Sequence, residues 1–209
     1  MYKTIEFPKN YIVWDLETDG FDGNKNHILE IGMFSIRSGE VVSENRWVLN
    51  HNIEISEEIT NINGMTKAII DAEGMDPKKG LEEFLEYVKS ADANITHNGI
   101  KFDIPFLVNH VKVVLEWDEE RLTKLTDHLN KTSIDTAMMF KGNMHSIKRM
   151  WNETFYQYAK RVGDAILRGK YNLGVCCDEL GIDRSKITQH RALGDVELTN
   201  EIYKIMINK

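Results

Sequence analysis

The chain has 209 residues, 42% of them hydrophobic and 28% charged, which fits one ordinary globular domain over 1–209 and excludes a disordered or fibrous protein. Its formal net charge of -7 works against non-specific nucleic-acid binding, although bound divalent cations or a local basic patch would reverse the field where it matters. Met1 to Asn10 holds no apolar run like a signal-peptide core and no later stretch is long enough to span a bilayer, so the expectation is a soluble, cytoplasmic protein with no membrane partner.

Tyr11-Ile12-Val13-Trp14 is a short apolar run that stops at acids and predicts a central strand. Ile28 to Arg37 and Val41 to Leu49, separated by Ser38-Gly39-Glu40, predict a hairpin. Leu81, Phe84, Leu85 and Val88 recur at helical spacing, and Asn94 to Thr96 reads as a short strand. Ile104, Leu107, Val108 and Val111 mark another helix, with Pro105 in its first turn. Strands alternate with helices, so the class is α/β.

A polar stretch then precedes a brief strand at Ser133-Ile134-Asp135. Ile147, Met150, Trp151, Thr154, Phe155, Tyr158, Val162, Ala165 and Ile166 fall on one stripe, which predicts a helix over 146–168, roughly 20 residues and about 30 Å long. Between Lys141 and Lys170 seven basic residues stand against only Glu153 and Asp164, a net charge of +5. This basic island is either a solvated helix face or a clamp for nucleic-acid phosphates, with Lys148, Arg149, Lys160 and Arg161 as its candidate contacts. Cys176 and Cys177 are adjacent in an apolar helical pattern and read as core thiols, with no disulfide framework.

The acids carry the chemistry. Asp15 and Glu17 are two apart at the end of an apolar strand, so both side chains leave one face, a costly pairing unless a cation sits between them. Asp103 opens a helix, where it either caps the N-terminus or serves a site. Asp195 lies on the inward stripe with Leu198 and Ile202, and an inward carboxylate needs a partner that a shared metal would supply. His190 precedes it by five residues in the loop leading into that helix. His27, His51, His110, His128 and His145 are read as structural, and His97 as a packed loop residue.

Taken in order, Asp15-Leu16-Glu17-Thr18-Asp19-Gly20, Ile31-Gly32, Asn63-Gly64-Met65-Thr66, His97 through Leu107, and His190-Arg191-Ala192-Leu193-Gly194-Asp195 resemble the DnaQ-like exonuclease superfamily in its DEDDh branch. The resemblance covers nearly the whole chain. It implies a single exonuclease domain with a ribonuclease-H-like fold: a mixed five-stranded sheet flanked by helices, the acids at one edge, and the basic helix near 146–168 as an insertion. Two departures stand out: Asn63 where the family often has His, and the longer segment before Leu173-Gly174-Val175.

By the same resemblance Asp15, Glu17, Asp103 and Asp195 would hold two divalent ions. Hard oxygen ligands suit Mg²⁺ or Mn²⁺ better than zinc. Asp15 would bridge the ions and His190 would take the proton of the attacking water. Thr18, the backbone around Leu16, Met65, Asn98 and Phe102 match positions that grip or wall the terminal nucleotide. The implied reaction is removal of nucleotides from a 3′ end, with single-stranded DNA as the favoured partner and a polymerase or repair protein as a further one. An RNA 3′ exonuclease similar to oligoribonuclease or ribonuclease T is the rival, since the motifs set the reaction and not the sugar. A non-catalytic nucleic-acid-binding subunit is the other.

Overall fold

The computed structural model describes residues 7–185, 187 and 191–208. Three strands come first: β1 (Tyr11–Thr18), β2 (Ile28–Arg37) and β3 (Glu40–Val48). Helices α1 (Glu57–Asn63), α2 (Lys67–Glu73) and α3 (Pro77–Ser90) lead to β4 (Asn94–Thr96), then α4 (Asp103–Val114), α5 (Glu119–Thr132) and β5 (Ser133–Asp135). Helices α6 (Thr136–Met144), α7 (Phe155–Ala165), α8 (Leu173–Leu180) and α9 (Ala192–Ile207) complete the described elements.

The strands form one mixed sheet in the order β3-β2-β1-β4-β5. The β1–β2 and β2–β3 pairs are antiparallel, while β1–β4 and β4–β5 are parallel. Ser38 and Gly39, with φ of 53° and 88°, make the two-residue turn that joins β2 to β3, a conformation whose twist suits a tight hairpin. Parallel neighbours need crossover helices, and those helices cover both faces of the sheet.

The alternation of β1 sorts the core. Ile12, Trp14 and Leu16 pack with Phe84 and Leu85 of α3, Leu107 and Val111 of α4, and Leu122 and Leu125 of α5. Tyr11 and Val13 pack on the other side with Met138 of α6, Val162 of α7, and Val196 and Tyr203 of α9. Trp14 meets Phe84 edge to face at 5.4 Å, both fully buried, so Phe84→Ala would cost about 3–5 kcal/mol. Period two then places Asp15 and Glu17 on the face of Tyr11 and Val13, toward α9.

Two expectations change. The helix expected over 146–168 is only α7, residues 155–165. Thr154 caps it: its hydroxyl accepts the Gln157 N–H at 3.1 Å while the Gln157 side chain accepts the Thr154 N–H at 2.9 Å, a reciprocal capping box that starts the helix there. Ahead of it, Trp151 is 83% exposed and Met150 52%, so their place on the stripe was coincidental. The polar stretch before β5 is a helix, α5, started by Asp118, whose side chain accepts the Arg121 N–H; it buries only Leu122, Leu125 and Leu129.

Candidate active site

Asp15, Glu17 and Asp195 come together, each offering an oxygen, with these atoms within 4.8 Å of one another. The pairing of β1 with β2 sets Asp15 opposite Gly32 and Glu17 opposite Glu30. A Cβ on Gly32 would lie 2.5 Å from the Ala192 carbonyl carbon and 2.7 Å from the Leu193 nitrogen. Only a bare backbone lets the first turn of α9 rest on the sheet beside Asp15, and that contact delivers Asp195 to the strand pair.

Asp103 reaches the same edge from α4. It is the first residue of that helix; the cap position is Phe102, and no side-chain cap bond is made there. Its buried carboxylate instead accepts the N–H of Leu16 and its own N–H. Asp103 is therefore tied to β1 and aligned by the backbone between Asp15 and Glu17.

Four carboxylates in one partly dry corner oppose one another's ionisation. Burial, then Asp103, Glu17, Asp195 and Glu30, push Asp15 well above the carboxylate range. Burial followed by Asp195, Glu30 and Asp103 raises Glu17 to about 8, with Arg191 opposing. Burial lifts Asp103 to about 7 against its two N–H donors. Such a cluster is poised for cations: hard, oxygen-only donors with crowded negative charge fit a divalent ion of the Mg²⁺ or Mn²⁺ kind.

Glu30 is a buried acid that sequence reasoning passed over. One of its oxygens pairs with Arg46 and, at 3.3 Å, with Arg191; the other accepts the Ala192 N–H at 3.2 Å. Arg191 at the cap of α9 supplies no side-chain cap bond, so Glu30 caps the helix from the neighbouring strand. It anchors the end of the segment that bears His190 and Asp195. The signal available was an acid inside an otherwise apolar strand, Ile28-Leu29-Glu30-Ile31. His190 itself lies outside the described residues.

The expected substrate contacts divide. Thr18 stands half-buried at the end of β1, its hydroxyl donating to the Gly20 carbonyl at 2.6 Å. Asn63 Nδ2 donates to the Thr18 carbonyl at 3.1 Å, so Asn63 pins its turn to the site edge. Phe102 is half-buried, edge on to Phe21 at 6.0 Å, and Phe21 is 84% exposed, giving the site an aromatic rim. Asn98, at φ 63°, is held by its N–H to Asp135 at 3.0 Å.

Leu16 and Met65 do not present side chains. Leu16 packs in the core and spends its N–H on Asp103, and Met65 is fully buried with Leu29, Val48 and Ile70. Both side chains are apolar and lie beside larger apolar clusters, so burial outweighs exposure at the rim.

Of the histidines expected to be structural, His110 is buried and His27, His51 and His128 half-buried, whereas His145 is exposed. His97 bridges Thr136 Oγ1 at 2.9 Å and the Tyr171 carbonyl at 3.0 Å, and burial lowers it to about 4. His51 stacks between His27 and His110 at 4.7 and 5.0 Å, and burial pushes His51 to about 4 and His110 to about 3. Cys176 and Cys177 are buried free thiols in α8. No helix among the described residues is long and apolar enough to cross a membrane.

The family model described as "Exonuclease" matches residues 12–203. The DNA polymerase III subunit epsilon of Pasteurella multocida is 25% identical over 97% of this chain and 70% of its own length. The PolC-type DNA polymerase III of Thermotoga maritima is 26% identical over 92% of this chain and 11% of its own, so the chain spans about a tenth of that relative. Escherichia coli exonuclease I, solved with a dA16 oligonucleotide, superposes with a TM-score of 0.71 at 14% identity, over 94% of this chain and 40% of that one.

Proposed function

The chain belongs to the exonuclease family, and on that premise we propose that this DnaQ-like 3′–5′ exonuclease releases nucleoside 5′-monophosphates from single-stranded or frayed DNA ends at the Asp15, Glu17, Asp103 and Asp195 cluster. The observation that carries the reading is the convergence of Asp15, Glu17 and Asp195 oxygens within 4.8 Å at a strand end, reached also by Asp103. Stability alone would favour breaking up such a cluster, so its retention points to bound cations.

Two Mg²⁺ or Mn²⁺ ions held by these four carboxylates would activate the attacking water and offset charge on the entering and leaving oxygens. Asp15, with one neighbour on its own strand and one on each of two helices, is the natural shared ligand. Glu17 and Asp195 would contribute ligands from β1 and α9, and Asp103 from α4. His190, five residues ahead of Asp195, is assigned the proton of the attacking water. Thr18, Asn98 and the Phe21–Phe102 edge line the approach of the terminal nucleotide, the aromatics offering a face for base stacking.

DNA is favoured over RNA because the relatives carry DNA polymerase names and the solved neighbour was captured with a deoxyoligonucleotide. The same names favour a polymerase as a partner. The test is digestion of end-labelled single-stranded DNA, duplex DNA and RNA of matched sequence with Mg²⁺, Mn²⁺ or EDTA, beside Asp15→Asn and His190→Ala. Metal-dependent shortening from the 3′ end, fastest on single-stranded DNA and lost in both variants, is expected. Cleavage that persists in Asp15→Asn, or none by the wild type on any strand, would overturn the reading.

A further inference from the structure

A second charged region lies beyond the ends of β4 and β5, and it has the opposite sign. A cavity of about 290 Å³ there is lined by Asn98, Lys101, Lys141, Arg168, Tyr171 and Asn172 among others. Lys141, on α6, is only 4% exposed. Its ammonium donates to the Ile166 carbonyl and lies 5.4 Å from the Tyr171 ring centre, and no carboxylate among the described residues pairs with it. Lys101 and Arg168 stand exposed at the mouth, likewise without a carboxylate partner. A buried ammonium beside other cations is costly unless an anion joins them. Burial and then Lys101 already lower the Lys141 pKa.

The basic residues first expected to form a clamp behave differently. Arg161 grips both oxygens of Glu153, at 2.7 and 2.8 Å, and Arg149 donates to the Glu153 carbonyl. The charge of Arg161 is spent inside the segment, and Arg149 is held there by its carbonyl contact. Lys141 and Arg168 of the island, with Lys101, instead face the cavity, where these three cations and the amides of Asn98 and Asn172 supply donors. The Asn172 oxygen is already committed to the Val175 N–H at 3.0 Å, which leaves its NH₂ as the free group.

We propose that this cavity binds an internal phosphodiester of the single strand, on the 5′ side of the nucleotide being removed. The proposal rests on the exonuclease reading. The Lys, Arg and amide donors among the lining residues match the oxygens of a phosphate. Asn98 joins the two regions, since it lines the cavity and follows β4, the strand beside β1. The separation is about two strand widths, on the order of 10 Å, which a few nucleotides span.

The test compares wild type, Lys141→Met and the Lys101→Gln/Arg168→Gln pair on two substrates: dT12, and the p-nitrophenyl ester of thymidine 5′-monophosphate, which fills only the terminal site. Lys141→Met should keep or raise Tm, because it removes a buried unpaired charge. KM for dT12 should rise about tenfold in each variant, and the slope of log KM against log salt should flatten by about 0.7 per lost contact. Both constants for the ester should stay within twofold. An unchanged KM for dT12, or an equal loss on the ester, overturns the proposal. So does a weaker inhibition by thymidine 5′-monophosphate with dT12 unaffected, which would assign the cavity to released nucleotide. Should the wild type cleave neither substrate, the exonuclease reading fails, and the Kd of labelled dT12 in EDTA still decides the cavity: a rise of about tenfold in Lys141→Met supports it, and an unchanged Kd overturns it.

Discussion

The acid edge at β1 and the salt-bridged seam behind it hold the same kinds of residue under opposite rules. In the seam, Glu30 takes Arg46, Arg191 and the Ala192 N–H, and elsewhere, ahead of α7, Glu153 likewise takes Arg161 at both oxygens. At the edge, Asp15, Glu17, Asp103 and Asp195 crowd together: burial and then the neighbouring acids raise Asp15 and Glu17, burial raises Asp103, and Arg191 opposes at Glu17 as two N–H donors do at Asp103. The difference separates charge that holds the fold from charge held ready for a ligand. Paired ions fix helices; carboxylates crowded together mark the place where a counter-ion arrives.

The strongest way to break that division is at Glu30. Glu30→Ala strands the Arg191 guanidinium and a helix N–H and leaves Arg46 only Glu73, and should cost about 3 kcal/mol in denaturant unfolding. Because α9 carries Asp195, turnover should fall as well, by about 10- to 100-fold, whereas Glu30→Gln, which can still accept from Ala192, should restore part of it. Equal activity in Glu30→Ala would show that the seam and the edge are independent.

Gly32→Ala attacks the same junction by shape. The added methyl would sit 2.5 to 2.8 Å from the Ala192–Leu193 backbone and push α9 off the sheet. A stability loss of about 1–3 kcal/mol is expected, together with weaker metal activation, read as a higher Mn²⁺ requirement for activity.

The acids and the packed histidines also pull stability in opposite directions with pH. Glu17 and Asp103 have folded pKa values raised to about 8 and 7, so their stabilising protonated forms are fully present near pH 4 and lost as pH rises through 7 to 8. His51, His97 and His110, lowered to about 4, 4 and 3, contribute stability above about pH 6.5 that is lost as pH falls toward 4. Unfolding in EDTA should therefore show maximal stability at about pH 5–6.5, and Mn²⁺ should extend the plateau to pH 8. A metal-free protein most stable at pH 8 would contradict the account.

The smallest effect belongs to Lys160, whose ammonium lies out over the Tyr156 ring at 5.7 Å. Lys160→Ala should shift Tm by less than about 2 °C and KM for a long strand by less than twofold, which salt-dependent kinetics would check. A larger change in KM would restore the clamp on α7.

Much of the site was legible because its signals are local. Asp15 and Glu17 share a face by the period of a strand, and Asp195 sits inward by the period of a helix. The fold followed from the alternation of apolar runs, down to strands of three residues at β4 and β5. Three features escaped for physical reasons. Helix α5 shows only Leu122, Leu125 and Leu129 among charges, so its stripe is thin. The start of α7 was written in Thr154 and Gln157, a cap that an apolar stripe running on through Trp151 concealed. Glu30 and Ala192 are 162 residues apart, and no period along the chain connects them.

Mn²⁺ binding to the wild type and to Asp15→Asn, followed at pH 7.5 in two buffers of different ionisation enthalpy, tests the central claim most directly. Saturable binding that releases protons, as Glu17 and its neighbours ionise around the ion, and that is lost or strongly weakened in Asp15→Asn, is the predicted result. Binding without proton release, or binding that Asp15→Asn leaves intact, would contradict an edge whose acids wait for cations.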